Sequence, residues 1–197
     1  MKLFYTPNSP YARIARIASV ELNLSKQIEM QKVTVRDPNS ELLNYNPTGK
    51  VPTLATDDGF ILSETRIICV YLNQFNPKIK LVADISDGFL QQLEGTASGF
   101  IDGIAVWVRE LRRSSSEQSS GVIKLERSRA LRILEYFEKI SDKFDQTPKL
   151  AYIIIASALG LESRLPELQW RLSYPKLAKW YDEFSGRPSL QVTKPEY

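Results

Sequence analysis

The stretch whose reading decides the fold is residues 46–72, NPTGKVPTLATDDGFILSETRIICVYL. Its middle reads as two short strands. Val51-Pro52-Thr53-Leu54-Ala55 supplies the first and Phe60-Ile61-Leu62 the second. Asp57-Asp58-Gly59 between them is a hairpin signal. Pro47-Thr48-Gly49-Lys50 ahead of the first strand is turn chemistry. Behind the second, Ile67, Ile68, Tyr71 and Leu72 recur at helical spacing and predict a helix from about Glu64 to Phe75.

Working outward, Lys2 to Tyr5 predicts a strand, and Thr6-Pro7-Asn8-Ser9-Pro10 a turn. A helix follows, with Ala12, Ala15, Ile17, Ala18 and Leu22 on one face. Ile28 to Val35 predicts a second strand, and Asn39 caps a short helix through Leu43. The resulting order, β-α-β-α-β-β-α over residues 1–76, is that of a thioredoxin-like domain. Residues 77–86 show neither helical nor strand periodicity and read as a linker. Residues 87–197 read as an all-helical bundle domain. Phe89, Leu93, Ala97, Phe100, Ile104, Val108 and Leu111 mark a long helix, and Ile123, Arg127, Ala130, Leu134, Phe137 and Phe144 a second. A buried helix follows Pro148, with Thr147 as its N-cap and Pro148 at its first position. Tyr174-Pro175 opens a last helix that Gly186 ends.

Composition narrows the chemistry. The 197 residues carry 43% hydrophobic and 25% charged side chains, which is ordinary for a globular chain. A net charge of +3 is too mild to imply nucleic-acid binding. Residues 1–80 hold ten Lys and Arg against seven Asp and Glu, and the remainder sixteen of each. The whole excess lies in the first part and favours an anionic ligand there. Cys69 is the only cysteine and histidine is absent. Intrachain disulfides, His-based triads and nearly all zinc sites drop out, and no metal is expected. The N-terminal MKLFYTPNSP lacks the apolar run of a signal peptide, and the run Leu150 to Leu161 is too short to cross a bilayer. A cytoplasmic protein is the default expectation.

Three constellations carry candidate chemistry, each beside an ordinary structural explanation. Pro10 fits the first position of a helix, which makes Ser9 its N-cap. A helix N-terminus exposes unpaired N–H groups, and a Ser hydroxyl there can donate to a bound thiolate. The plainer explanation is that Ser9 only caps its helix. In Gly49-Lys50-Val51-Pro52, a cis peptide before Pro52 would turn the Val51 backbone outward, where it can pair with an extended peptide like one added strand. Lys50 beside it can meet a carboxylate. An ordinary turn before an edge strand explains the same residues. At Ser63-Glu64-Thr65, a free N–H and the Thr65 hydroxyl suit a carboxylate, while Glu64 can accept from an ammonium. Together those groups match an α-amino acid head group. Taken alone, a capped helix with an acidic residue at its positive end is the plainer explanation.

Taken together, SPYARIARI (9–17), NPTGKVPTL (46–54), DDGFILSETRIICVYL (57–72) and YPKLAKWYDEFSGRPSL (174–190) resemble the glutathione S-transferase family over essentially the whole chain. The resemblance implies an α/β thioredoxin-like domain followed by an all-α domain, a role in detoxification, and a homodimer. It implies that Ser9, at the position of the serine-type enzymes, stabilises the glutathione thiolate, with Asn8 adjacent and able to share the role. Val51, before a cis-Pro52, would pair with the cysteinyl backbone. Glu64 and Thr65 would hold the γ-glutamyl end, and Lys50 the glycyl carboxylate. Many relatives place Cys where Ser9 stands, so a mixed disulfide at that position is excluded here. Lys149 and Tyr152 occupy the positions of the family's usual capping box, and Thr147-Pro148 replaces it one turn earlier.

The leading expectation is a transferase in which the glutathione thiolate attacks a small hydrophobic electrophile or a peroxide. Tyr11, Phe100, Trp107 and Leu111 are candidate walls for that substrate, and each is equally explained as core. The alternative is a non-catalytic binding or regulatory protein on the same scaffold, of the stringent-starvation type. A glutaredoxin-like reductase is disfavoured, because no active cysteine or Cys-x-x-Cys is present.

Overall fold

The computed structural model describes residues 1–165 and 167–196. The chain divides into two compact units. The first comprises residues 1–83 and 148–150 together with the C-terminal segment from Arg187. The second comprises residues 84–147 and 151–186.

In the first unit, β1 (Lys2–Tyr5) leads to α1 (Pro10–Glu21), β2 (Glu29–Lys32), a 3-10 turn (Glu41–Asn44), β3 (Thr53–Ala55), β4 (Ile61–Ser63) and α2 (Thr65–Asn73). The sheet order is β2-β1-β3-β4. β2 runs parallel to β1, β3 antiparallel to β1, and β4 antiparallel to β3. This is the thioredoxin-like arrangement. Leu3 and Phe4 are both fully buried. Successive strand side chains point to opposite faces, so the sheet is covered on both. Tyr45 lies against Phe4, with ring centroids 4.6 Å apart. The buried faces of α1 and α2 supply Ile14, Ile17, Ile68, Cys69 and Leu72 to the core, and Cys69 is one of its small side chains.

Local signals set the boundaries. β3 starts at Thr53, later than expected, because Pro52 has no N–H to give the ladder. Gly59 closes the hairpin at φ 89°, and Thr56 N–H donates to the Phe60 carbonyl at 2.9 Å. β2 is shorter than expected and mostly exposed, as suits an edge strand. Asn39 caps nothing. Its N–H donates to the Asp37 carboxylate at 2.8 Å, and the short helix is a 3-10 turn opening after Ser40.

The C-terminal segment 187–197 was expected in the helical domain. The described part of it, including α8 (Pro188–Val192), belongs instead to the first unit. Arg187 donates twice to the Glu21 carboxylate, each at 2.8 Å, and the Ser189 hydroxyl donates to it as well. The buried Arg13 donates to the Leu190 carbonyl at 3.2 Å.

The second unit is helical: α3 (Gly88–Leu111), α4 (Ser120–Ile140), α5 (Leu150–Leu159), α6 (Trp170–Ser173) and α7 (Pro175–Ser185), with Leu150 of α5 grouping with the first unit. α4 stops short of the expected Phe144, because a 3-10 turn over Ser141–Lys143 follows it and Phe144 is extended. Asp87 caps α3 by accepting from Leu90 N–H at 3.0 Å. The expected capping of α5 by Thr147 and Pro148 does not occur. Thr147 turns its N–H and hydroxyl to Asp145, the helix begins at Leu150, and the Leu150 N–H reaches the Leu81 carbonyl at 2.7 Å. A linker carbonyl thus satisfies one of the orphan donors that a cap would serve. Tyr152, at a vacated capping-box position, is a core aromatic among Phe144, Trp180 and Phe184. Glu138 of α4 caps α7 from outside, accepting from Lys176 N–H at 3.2 Å and Leu177 N–H at 2.8 Å. Glu138→Ala should therefore destabilise the fold by about 1 kcal/mol, read as a lower urea midpoint at unchanged slope.

A second prediction concerns acid. Burial alone would raise the Glu21 carboxyl, but the Arg187 and Ser189 hydrogen bonds and the Arg187 charge outweigh it and hold the group below its ordinary value of 4.5. The stability this gives is fully present above 4.5 and is lost as pH falls through the lower, folded value. In acid titrations followed by circular dichroism, Glu21→Gln should be less stable than wild type at neutral pH. The gap should close as pH falls below about 4.

Candidate functional site at one edge of the sheet

Register brings the three constellations together. Thr53 pairs with Phe4 on one side and Ser63 on the other. Because β3 runs against both neighbours, its start lies beside the ends of β1 and β4. The turn after β1 carries Asn8 and Ser9, the residues before β3 are Lys50, Val51 and Pro52, and the residues after β4 are Glu64 and Thr65. Adjacent strands are about 4.8 Å apart, so the segments spread over roughly 10 Å along one edge.

Ser9 sits at the N-cap of α1, and its Oγ accepts from Ala12 N–H at 3.2 Å. That uses an acceptor lone pair and leaves the hydroxyl proton, which has no acceptor among the described residues. Capping and donation to a ligand are thus compatible. Asn8 Oδ1 is buried without a donor among the described residues. The Val51–Pro52 peptide is cis. Val51 N–H and C=O make no hydrogen bond among the described residues. Lys50 is exposed and has no carboxylate partner among the described residues. Two helix N-termini, those of α1 and α2, meet this edge and add partial positive charge. The edge suits an extended ligand carrying more than one carboxylate.

Glu64 carries a signal the sequence did not. It stands at φ 69° and ψ 127°, a backbone conformation that L-residues rarely adopt, immediately before α2. Its side chain makes no cap hydrogen bond and is exposed. A strained, exposed acidic residue held beside the other two constellations is a candidate for function, since such strain costs about 1–3 kcal/mol. Asn46 is the second residue missed. It is almost fully buried, and its side chain organises the turn leading to Val51. A polar residue in a Pro-Gly turn reads as solvent-exposed, so the sequence carried no sign of it.

The proposed substrate walls separate. Tyr11 is half-buried in the first turn of α1. Phe100 and Trp107 are at most 1% exposed, and Phe100 packs edge-on against Phe137 at 5.6 Å. They are core side chains and offer no surface to a ligand. Aromatic residues at helical spacing look the same in sequence whether they line a core or a cleft.

The chain is similar to known proteins. Residues 8–74 match the glutathione S-transferase N-terminal domain. The chain is 30% identical to the uncharacterised glutathione S-transferase-like protein YibF of Escherichia coli K12, over 99% of this chain and 98% of that one. A Methylobacillus flagellatus glutathione S-transferase solved with glutathione bound superposes with a TM-score of 0.90 at 32% identity, covering 99% of each chain. A Pseudomonas fluorescens Pf-5 glutathione transferase family member with bound glutathione gives 0.91 at 30%, covering 100% of this chain and 99% of that one.

The strain at Glu64 is directly testable. Glu64→Gly should stabilise the fold by about 1 kcal/mol, because glycine takes this backbone freely, while Glu64→Ala should not. Equal chemical-denaturation midpoints for Glu64→Gly and Glu64→Ala would show that the backbone there is unstrained.

Proposed function

This chain belongs to the glutathione S-transferase family, and we propose that it binds glutathione along the sheet edge and stabilises its thiolate at Ser9. The supporting observation is the double register of Thr53, which gathers Ser9, Val51 and Glu64-Thr65 at one edge. The γ-glutamyl carboxylate meets the α2 N-terminus and the Thr65 hydroxyl, and Glu64 accepts from the ammonium. Val51 pairs with the cysteinyl backbone, Lys50 meets the glycyl carboxylate, and Asn8 Oδ1 accepts a ligand hydrogen. The sulfur lies at the α1 N-terminus, where the Ser9 hydroxyl donates to it.

Each unit of thiol pKa shift is worth about 1.4 kcal/mol. One charge-assisted hydrogen bond plus a helix dipole is of the right size to shift the thiol by about one to two units. The thiolate then forms the new S–C bond as the electrophile's leaving group departs, or forms an S–O bond with a peroxide oxygen as the O–O bond breaks and the alkoxide leaves to take a proton from solvent. In the peroxide case a second glutathione then displaces water from the resulting sulfenic acid to give the disulfide. Proximity contributes the rest. Tyr11 remains the candidate wall for the electrophile. The chain acts in the cytoplasm, a setting that suits a single buried cysteine. It pairs as a homodimer, which the exposed Phe60, Ile61 and Ile67 on the β4–α2 side favour.

Retention on immobilised glutathione tests binding and should be lost in Glu64→Ala. Ser9→Ala should keep glutathione affinity within about threefold while raising the bound thiol's pKa by about one unit or more, followed by thiolate absorbance. An unchanged thiol pKa removes Ser9 from the chemistry. Binding without turnover of any electrophile or peroxide would favour the non-catalytic alternative.

A further inference from the structure

We propose that Asn46 is the positioning residue of this edge and, through Thr53, fixes the direction in which Val51 offers its N–H to the ligand; this rests on the glutathione reading. Asn46 is 3% exposed and both ends of its carboxamide are engaged. Oδ1 accepts from Thr48 N–H at 3.0 Å and from the Thr48 hydroxyl at 2.9 Å. Nδ2 donates to the Thr53 hydroxyl at 2.8 Å, with a longer 3.4 Å contact to the Lys50 carbonyl. The Thr53 hydroxyl donates in turn to that same carbonyl at 2.8 Å. On the main chain, the Asn46 carbonyl accepts from Gly49 N–H at 3.0 Å, and Asn46 N–H donates to the Leu42 carbonyl at 2.8 Å.

The consequence follows from peptide planarity. The Lys50 carbonyl and the Val51 N–H belong to one trans peptide, so they point in opposite directions within one plane. Asn46 and Thr53 hold the carbonyl inward, and the N–H is thereby aimed away from the turn. Thr53 is itself fully buried and its backbone is registered to both β1 and β4. The Val51 donor is thus referenced to the same strands that set Ser9 and Glu64. A ligand held at three points gains from this only if the middle point is rigid.

Affinity and thiol chemistry separate in the test. Asn46→Asp keeps both acceptor bonds to Thr48 but cannot donate to Thr53. Thr53→Val keeps the shape and removes the hydroxyl, and Thr53→Ser restores it. By calorimetric titration with glutathione, Asn46→Asp and Thr53→Val should each bind about tenfold more weakly. Thr53→Ser should bind nearly as wild type. The pKa of the bound thiol should stay at the wild-type value in all three, because Ser9 is untouched. A folded Asn46→Asp or Thr53→Val with wild-type affinity overturns the proposal. So does a loss that Thr53→Ser fails to rescue, or one in which the thiol pKa moves as well. Should Asn46→Asp fail to fold, the Thr53 pair decides alone. Wild-type protein that ignores glutathione fails the glutathione reading itself, and this proposal with it.

Discussion

The seating of β3 between β1 and β4, antiparallel to both, is the constraint on which the candidate site depends. An all-parallel sheet gathers the C-terminal ends of its strands at one edge. Here one inverted strand places its beginning among the endings of its neighbours. Three chain segments with different chemistry therefore meet: a helix cap, a strand entry and a second helix start. Thr53 is the residue where this geometry converges, since its backbone is registered to both flanking strands and its hydroxyl to the incoming turn. Few sequence-local features could bring Ser9, Val51 and Glu64 together, because 55 residues of chain separate the first from the last.

Much of this was legible because its causes are local. Pro10 at the head of α1, Pro52 ahead of β3, the Asp57-Asp58-Gly59 turn and Pro175 at the head of α7 act within one or two residues. Sequence patterns report such effects directly. What the sequence could not show was settled by distant partners. Thr147 looked like a cap, but the Leu81 carbonyl serves the first donor of α5 from far along the chain. The segment after Gly186 looked like more of the helical part, but the Glu21 carboxylate takes Arg187 and Ser189. Asn46 looked like a turn residue and proved to be the buried hub of its loop. Phe100 and Trp107 looked alike as core or wall, and burial made them core.

Glu64 shows the same limit in a different form. Helical periodicity begins after it, so the pattern places it simply at a helix start. Nothing in a residue type announces a positive φ, and for Glu the conformation is costly. The surrounding chain must hold it there, between the last residue of β4 and the first turn of α2, whose Ile68 N–H donates to the Glu64 carbonyl at 3.1 Å. An exposed carboxylate kept in a strained backbone, with no cap to show for it, makes sense where its direction matters to something outside the chain.

Ser9 is where local structure and proposed chemistry meet, and the two do not compete. A hydroxyl has two acceptor sites and one proton. The cap uses an acceptor site, and a thiolate would use the proton. The cap also orders the side chain, so the entropy of aiming that proton is spent in folding and not at each binding event. The same economy limits the chemistry. With no histidine in the chain, nothing beside Ser9 can act as a His base or acid, and the roles proposed for Ser9 and the α1 N-terminus stabilise the thiolate without themselves accepting the thiol proton. Stabilising a thiolate by one hydroxyl and one helix end strengthens the attacking group but does little for the departing one. On that ground the proposed site fits best electrophiles whose leaving group departs unaided, and fits less well those, peroxides included, whose leaving oxygen must take up a proton.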